Sequence, residues 1–319
     1  MHPFRFAVQA TKATSGAEWR DLARKAEDLG YATLFVSDHY LGPGRAARES
    51  RLPPQHLAPI AAMATAAAVT STLRVGCRVF CVDYHVPAVL AKEAATIDLL
   101  SDGRLEFGIG AGWSPLEYAA MGLEFAPPGR RVDKLEEVVA LVKAHWSGER
   151  LELHGEHATA AGYAGLPAPV QRPRPPLMIG GARRRVLSLA AREADIVSIN
   201  NVPFDAVNEA GRTPPQEAAH RFGLVREAAG ERLAEIEIEA SPFFTAITDD
   251  PDAAVRRVAD VMGVPPDGLS EHPNVLAGPL DAVADRLTER RETFGANYIS
   301  VQQREMERFA PVVSRLAGK

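Results

Sequence analysis

The stretch that decides the fold is Arg104-Leu-Glu-Phe-Gly-Ile-Gly-Ala-Gly-Trp113, an apolar strand that runs directly into a glycine-rich loop. Glycines at positions 108, 110 and 112 allow the backbone to approach another group closely. A dinucleotide-binding fingerprint needs a further glycine at position 113 and a helix that opens there. Because Trp113 occupies that position and Pro115 follows it, the sequence argues against a Rossmann fold. It favours a cradle for a phosphate or a ring at the C-terminal end of a strand.

Outward from this stretch, strand-like and helix-like segments alternate along the whole chain. Apolar strand patterns cover residues 4–10, 31–36, 73–82, 104–110, 176–180, 195–199, 235–245 and 297–301. Helical periodicity covers residues 16–29, 57–70, 87–100, 129–146, 183–193, 216–229, 252–262 and 280–294. This alternation over 319 residues predicts an α/β protein with one domain, residues 1–319, folded as a (β/α)8 TIM barrel.

Irregular segments interrupt the alternation at residues 148–176, 200–215 and 264–277, and the first of them is expected to contain a hairpin. In such barrels the active site forms at the C-terminal ends of the strands. We therefore expect the inserted segments to lie at that face, where they could form a lid. The strand-end candidates are Gln9, Asp38, His39, the segment 77–81, the segment 110–113, Gly180, Gly181, Asn200 and Asn201.

Composition and charge narrow the classes of function. Hydrophobic residues make up 46% of the chain and charged residues 24%, as in ordinary globular enzymes. The net charge is −5 without a basic block, so we expect no nucleic-acid partner. No apolar run reaches the roughly 20 residues of a membrane helix, and no signal peptide is visible. Cys77 and Cys81 are too far apart on one strand to bridge, and metal-ligand spacing is absent. We expect a reduced, cytoplasmic protein without a metal or membrane partner.

His39 is the strongest catalytic candidate, because it follows the second predicted strand in the sequence Ser37-Asp38-His39. A histidine at the mouth of a barrel can act as an acid or a base near neutral pH. Side chains alternate along a strand, so Asp38 and His39 are expected to divide their roles, one holding a ligand and the other doing chemistry. The plainer alternative is a loop histidine with an ordinary hydrogen bond, and position alone does not decide between them.

The turn Gly180-Gly181-Ala182-Arg183 after the fifth predicted strand is a second candidate for binding an anion. Backbone N–H groups at a helix N-terminus attract phosphate. The arginines at positions 183, 184 and 185 oppose the helix dipole, which indicates that an anion offsets their charge. A solvated basic turn that pairs with surface carboxylates is the alternative.

Two further side chains have both a functional and a structural interpretation. Trp113 is either a core anchor or a pocket wall over a flat ring. Arg78 interrupts an otherwise apolar strand. It either points into the barrel, where it needs a partner, or faces outward toward a carboxylate such as Glu93.

The chain resembles the luciferase-like monooxygenase family, in particular the branch that uses the deazaflavin coenzyme F420. The resemblance covers nearly the whole sequence. It rests on Ser37-Asp38-His39, on the helix and turn of residues 91–104, on residues 108–113 with Glu117-Tyr118, and on Met178-Ile179-Gly180-Gly181. These motifs are more specific for the superfamily than for the F420 branch over the flavin branch.

The resemblance implies a homodimer and a cofactor ring that lies against a bulge in strand three, made by a non-proline cis peptide at or next to Arg78–Val79. It implies that Cys81 lies close to the ring, that Asp38 sits at the ring's polar edge and that His39 faces its reactive carbon. With the candidates above, the expected cofactor-binding residues are Asp38, Arg78, Val79, Cys81, Gly110, Ala111, Gly112, Trp113, Gly180, Gly181 and Arg183. Sugar-phosphate dehydrogenases of the family carry a glutamate where this chain has Trp113, which argues against a phosphorylated sugar as substrate.

The implied cofactor suggests the chemistry. A deazaflavin carries hydride two electrons at a time, and the protein places a substrate carbon over the ring and supplies or removes a proton. The sequence therefore predicts an F420-dependent oxidoreductase of small organic substrates, with His39 as proton donor or acceptor. Two alternatives stay open. One is an FMN-dependent two-component monooxygenase, which would need oxygen and a separate reductase, and the other is a non-catalytic flavin-binding protein.

Overall fold

The fold is an eight-stranded barrel with flanking helices, given by a computed structural model that describes residues 1–50, 52–199 and 202–319. Its strands are β1 Arg5–Ala10, β2 Thr33–Val36, β3 Arg74–Cys81, β4 Leu105–Gly110, β5 Arg150–His154, β6 Thr159–Ala164, β7 Leu177–Gly181, β8 Ile196–Ile199, β9 Glu237–Ala240, β10 Phe244–Ile247, β11 Val275–Gly278 and β12 Ala296–Gln302. Eight of these described strands close into a barrel in the order β1-β12-β9-β8-β7-β4-β3-β2. The predicted (β/α)8 barrel is confirmed.

Helices follow most of the barrel strands, and many begin with a proline. They are α1 Gly16–Asp28, α2 Arg45–Glu49, α3 Pro59–Ala67, α4 Pro87–Leu100, α5 Pro115–Ala120, α6 Pro128–Ser147, α7 Arg184–Glu193, α8 Pro214–Ala229, α9 Pro251–Met262, α10 Leu280–Phe294 and α11 Met306–Leu316. Proline suits the first helical turn because its φ is already helical and its missing N–H would have no partner there. The short helix α5 directly follows the glycine-rich loop and carries Glu117 and Tyr118.

The described residues form two compact units. The first unit consists of Met1–Gln9, Asp28–Ala32 and Gly180–Lys319, and its core contains Phe6 between Phe4 and Phe309, with ring centroids 5.9 and 6.0 Å apart. The second unit consists of Ala10–Glu27 and Thr33–Ile179. In its core, Phe107 of β4 contacts Phe80 of β3 and Trp146 of α6, with centroid distances of 5.5 and 5.1 Å. That residues 1–319 act as one domain stays a prediction.

The seventh predicted strand, residues 235–245, is wrong as one element. The structure divides it into β9 and β10, separated by Ser241, Pro242 and Phe243. Proline has no N–H to donate to a ladder, so a central strand cannot continue through it. Instead β10 pairs in parallel with β11, which lies in a segment predicted to be irregular. We call this two-stranded sheet the β10–β11 ribbon.

The first inserted segment contains the predicted hairpin, formed by the antiparallel strands β5 and β6. Asn200 and Asn201, the strand-end candidates at the start of the second insert, lie outside the described residues. Among the residues that are described, no helix combines the length and the apolar character that a bilayer span requires.

Candidate active site

The C-terminal ends of β2, β3 and β4 bring together most of the residues selected from the sequence. In the parallel register, Val36 of β2 lies opposite Cys77 of β3, and Cys81 lies opposite Gly110 of β4. Asp38 and His39 therefore leave β2 beside the end of β3, and the glycine-rich loop leaves β4 beside Cys81. All of these residues belong to the second unit.

His39 is held by a buried carboxylate. Its Nδ1 lies 2.6 Å from Oε2 of Glu117, and Oε1 of the same carboxylate accepts the Tyr40 backbone N–H at 2.8 Å. Burial alone would raise the pKa of Glu117, but the hydrogen bond and the charge of His39, with the Tyr40 N–H, hold that pKa below its ordinary value. An ionised carboxylate only accepts, so Nδ1 must donate. This leaves Nε2 of His39 to accept or release a proton.

Asp38 ties the end of β2 to β3. One of its oxygens accepts the Cys81 backbone N–H at 2.8 Å and lies 2.9 Å from Nε2 of His85. The Asp38 side chain is almost completely buried. The structure thus gives Asp38 an orienting contact with the strand, and its predicted contact with a ring edge stays a prediction.

The predicted bulge in strand three is confirmed. The peptide between Arg78 and Val79 is cis and non-proline. The β3–β4 register shifts between Cys77 and Phe80, so the backbone leaves the regular ladder at this point. Phe80 and Cys81 resume the pairing with β4. The bulge therefore lies within the strand whose C-terminal end carries Cys81.

A chain of hydrogen bonds runs from Cys81 to the surface. The Cys81 thiol contacts the Tyr118 hydroxyl at 3.0 Å, and that hydroxyl donates to Asp83 at 2.7 Å. Lys134 Nζ donates to the other oxygen of Asp83 at 2.7 Å. Burial raises the pKa of Cys81 to about 12, although the hydrogen bond with Tyr118 acts in the opposite direction. The raised pKa favours the neutral thiol of Cys81 over the nucleophilic thiolate.

The glycine-rich loop is fixed from behind by Arg131 of α6. Its guanidinium donates to the carbonyl oxygens of Ala111 and Gly112, and its Nε donates to Ala126. Gly112 has a positive φ of 73°, and a Cβ there would overlap the Tyr118 hydroxyl and the Cys81 sulfur. Only glycine fits this position. The Arg131 guanidinium is nearly buried, and its positive charge favours the binding of an anion at the glycine-rich loop.

Two features near this loop fit a bound cofactor. Ser114, at the N-terminus of α5, is buried, and its hydroxyl has no hydrogen-bond partner in the described part of the chain. Buried polar groups without partners are rare in native proteins and call for an explanation. Trp113 is 55% exposed and lies edge-on to His39, with ring centroids 5.9 Å apart. It is therefore a surface aromatic beside the histidine and not a core anchor.

The second predicted anion site lies in the first unit. A Cβ at Gly181 would overlap the side chain of Val186, so packing against α7 already explains this glycine. Arg183 precedes α7 as its N-cap residue and is exposed, and its side chain makes no cap hydrogen bond. Arg184 pairs with Glu227 at 3.2 Å, as expected for a solvated basic turn. Anion binding at this turn stays a prediction.

Sequence reasoning missed several residues that build the site. The sequence gives no contact partner for Glu117 or Tyr118, although both stand in a recognised motif, and no pattern singles out His85, which follows β3. Arg131 gave no signal of its own, because it lies in an amphipathic helix about twenty residues from the carbonyls that it binds. The arrangement as a whole can hold a flat ring and move a proton at His39.

A family model matches nearly the whole chain, and the similar proteins of known cofactor described below use either FMNH(2) or coenzyme F420. The family described as luciferase-like monooxygenase matches residues 1–312. The uncharacterized protein Rv0953c of Mycobacterium tuberculosis is 34% identical over 184 residues, which cover 54% of this chain and 64% of that protein. The chain thus spans less than two thirds of that relative. The FMNH(2)-dependent dimethylsulfone monooxygenase of Pseudomonas putida is 32% identical over 109 residues, which cover 34% of this chain and 30% of that enzyme.

Among solved structures, the coenzyme F420 dependent tetrahydromethanopterin reductase from Methanopyrus kandleri superposes with a TM-score of 0.75. The match covers 99% of this chain and 98% of that one, at 19% sequence identity. At this identity the likeness concerns the fold.

Proposed function

The chain belongs to the luciferase-like monooxygenase family, whose members are oxidoreductases, and we propose that it is a coenzyme F420-dependent oxidoreductase. It would transfer a hydride between the deazaflavin and a small organic substrate. The observation that carries this proposal is the His39–Glu117 pair, which lies at the strand ends beside the glycine-rich loop. When bound, the deazaflavin supplies two-electron hydride chemistry, which needs a matching proton at a neighbouring atom.

His39 is the proposed proton donor or acceptor. Because Glu117 accepts from Nδ1, it fixes the ring orientation and the tautomer, and it stabilises the imidazolium when Nε2 takes a proton. Trp113 presents its aromatic surface next to His39 and is suited to cover one side of a flat ligand. Asp38 holds the Cys81 amide and so maintains the end of strand three against which a ring would rest.

The residues proposed to hold the cofactor form two groups. Asp38, Arg78, Val79, Cys81 and Trp113 would contact the ring. The backbone at Gly110-Ala111-Gly112 would hold phosphate, with support from the charge of Arg131. A second phosphate site would be formed by Gly180, Gly181 and Arg183. The partnerless hydroxyl of Ser114 and the glycine requirement at position 112 support the first of these phosphate sites.

An FMN-dependent two-component monooxygenase is the second candidate, because the Pseudomonas putida relative uses FMNH(2). In that case the chain would need a separate reductase and would consume oxygen. A non-catalytic flavin-binding protein is the third. The oriented imidazole beside an exposed tryptophan argues against it, since passive binding of a ring needs no such pair.

We also propose that the chain acts as a homodimer of single-domain subunits in the cytoplasm, without nucleic-acid or membrane partners. Light scattering coupled to gel filtration tests the oligomer: we expect the mass of two chains, and the mass of one chain contradicts the proposal.

Titration of the purified protein with F420 and with FMN, followed by ring fluorescence, tests the cofactor. We expect F420 to bind at least about tenfold more tightly, which corresponds to 1.4 kcal/mol. Equal or tighter binding of FMN, together with oxygen uptake when reduced FMN is supplied, would overturn the F420 assignment in favour of the monooxygenase. Tight binding of either ring without turnover of any hydride donor or acceptor would favour the non-catalytic protein.

A further inference from the structure

A cavity of about 330 Å³ lies in the first unit beside the β10–β11 ribbon and shares no residue with the candidate active site. We call it the ribbon cavity. Ala254, Arg257, Val258 and Val261 of α9 line it, and so do Arg304, Glu305 and Arg308, which follow β12. This volume is within the range of small-molecule sites.

The ribbon cavity lies against one face of the ribbon and extends to the open edge of β10. Phe244 and Ala246 line it on that face with their register partners Val275 and Ala277, and Thr245 and Ile247 of β10 and the following Thr248 line it as well. The N–H groups of Phe244 and Thr248 donate across the ribbon to Asn274 and Gly278, each at 2.9 Å. Alternate residues of a parallel ladder face alternate sides. The N–H groups of Thr245 and Ile247 therefore point to the side of β10 that pairs with no strand among the described residues.

Thr245 adds a buried donor to this edge. The residue is 9% exposed and lines the cavity, and its hydroxyl has no hydrogen-bond partner in the part of the chain that the structure describes. A buried hydroxyl without a partner is unfavourable unless something satisfies it. A ligand in the cavity would do so.

Three arginines line the cavity, Arg257 on α9 and Arg304 and Arg308 after β12. Arg257 and Arg308 are exposed, and neither side chain has an ion pair or a hydrogen bond to another described residue. Among the described residues, the Arg304 side chain lies 3.6 Å from Glu305, donates to the Phe243 carbonyl at 3.5 Å and lies 5.9 Å from the centroid of the Phe244 ring. The lining residues carry three positive charges, on these arginines, and one negative charge, on Glu305, so the lining has a net positive charge.

We propose that the ribbon cavity binds a small organic anion with a phosphate monoester head and an apolar body. The arginines, the Thr245 hydroxyl and the outward amides of β10 supply more donors than the two oxygens of a carboxylate can use, and a phosphate accepts at three oxygens. Val258 and Val261 of α9 and Phe244 of β10 supply an apolar surface for the rest of the ligand. This proposal stands independently of the active-site chemistry.

The test is isothermal titration calorimetry of the full chain at low salt with phenyl phosphate as the probe. Inorganic phosphate, phenol and benzoate serve as comparison ligands. We expect phenyl phosphate to bind at least about tenfold more tightly than each of them, because only it combines the head and the body. No measurable binding of phenyl phosphate, or benzoate binding equally well, would overturn the proposal.

Variants locate the site. Arg257→Ala and Arg308→Ala should each weaken phenyl phosphate binding about tenfold, as expected for loss of a charge-assisted contact. The matched control is Arg256→Ala, which removes the neighbouring exposed arginine of α9 that does not line the cavity and should leave affinity within about twofold. Thr245→Val keeps the shape of the side chain and should weaken binding several-fold. Equal losses in Arg256→Ala and Arg257→Ala would show general charge attraction and contradict the site.

Discussion

His39 and Arg183 both follow a barrel strand, yet their surroundings differ in how the charged groups are held. The histidine rests on a fully buried carboxylate that also accepts the Tyr40 amide, and neighbouring hydrogen bonds join Asp38 to β3. Arg183 stands exposed at the start of α7, and its neighbour Arg184 pairs with the exposed Glu227. The first arrangement fixes a geometry, and the second supplies a charge that solvent and salt can screen.

Under the proposed function, His39 and Arg183 do different kinds of work, and their surroundings suit that division. Proton transfer needs atoms held to within a fraction of an ångström, which buried hydrogen bonds provide. Attraction of a phosphate needs only net charge and free donors, which an exposed turn provides at small cost in stability. Substitutions at His39 and Glu117 should therefore lower turnover, whereas substitution of Arg183 should lower the affinity for the cofactor.

The largest expected effect is that of His39→Ala. General acid–base catalysis contributes roughly 10²–10⁴ in rate, so turnover should fall by about that factor while cofactor affinity stays within a few-fold. The matched control is His154→Ala, at an exposed histidine of β5, which should keep turnover. The measurement is steady-state kinetics once a substrate is found, with a pH titration of the holoprotein's ring fluorescence as the interim readout. Full turnover in His39→Ala, or outright loss of cofactor, would make His39 a binding or structural residue.

Glu117→Gln should have an intermediate effect. It keeps the size of the side chain but removes the charge that orients His39, and we expect turnover to fall about 10–100-fold, with Glu149→Gln at an exposed position as the neutral control. At pH 7 the free energy of unfolding should fall by about 1–3 kcal/mol, since Glu117 is fully buried.

The pH dependence of that stability loss follows from the lowered pKa of Glu117. A depressed pKa in the folded state stabilises the protein fully above the ordinary value of about 4.5 and loses this contribution as the pH falls through the folded value. Urea denaturation from pH 7 down to pH 3 should therefore show a constant gap between wild type and Glu117→Gln above about pH 5 and a shrinking gap below it. A gap that widens toward acid pH would mean that Glu117 is not the stabilised carboxylate.

The sequence predicts the barrel well because the strands and helices carry their own periodicity, and because many of the helices begin with a proline or are followed by a glycine. The barrel in turn predicts the strand-end residues Asp38 and His39 as site residues, because the parallel strands of a barrel share one C-terminal face. The His39–Glu117 contact is harder to predict, because the partners are 78 residues apart and meet only when α5 forms after the glycine-rich loop. The split of residues 235–245 was open to prediction, because Pro242 stands inside the apolar run.

The smallest expected effect is that of Arg183→Ala on cofactor affinity. If the turn after β7 attracts the cofactor's phosphate, removing an exposed charge should cost about 1 kcal/mol, a fivefold weakening, and a desolvated charge-assisted contact would raise this to about 2–3 kcal/mol. Added salt should reproduce the loss in wild type and have less effect on the variant, because both act on the same screened attraction. Arg184→Ala is the matched control, since Arg184 is already paired with Glu227 and should change affinity less. Fluorescence titration at two salt concentrations measures all of these values. Unchanged affinity of Arg183→Ala at low salt would mean that the arginines after β7 are a solvated turn and that the anion is held by the glycine-rich loop and Arg131.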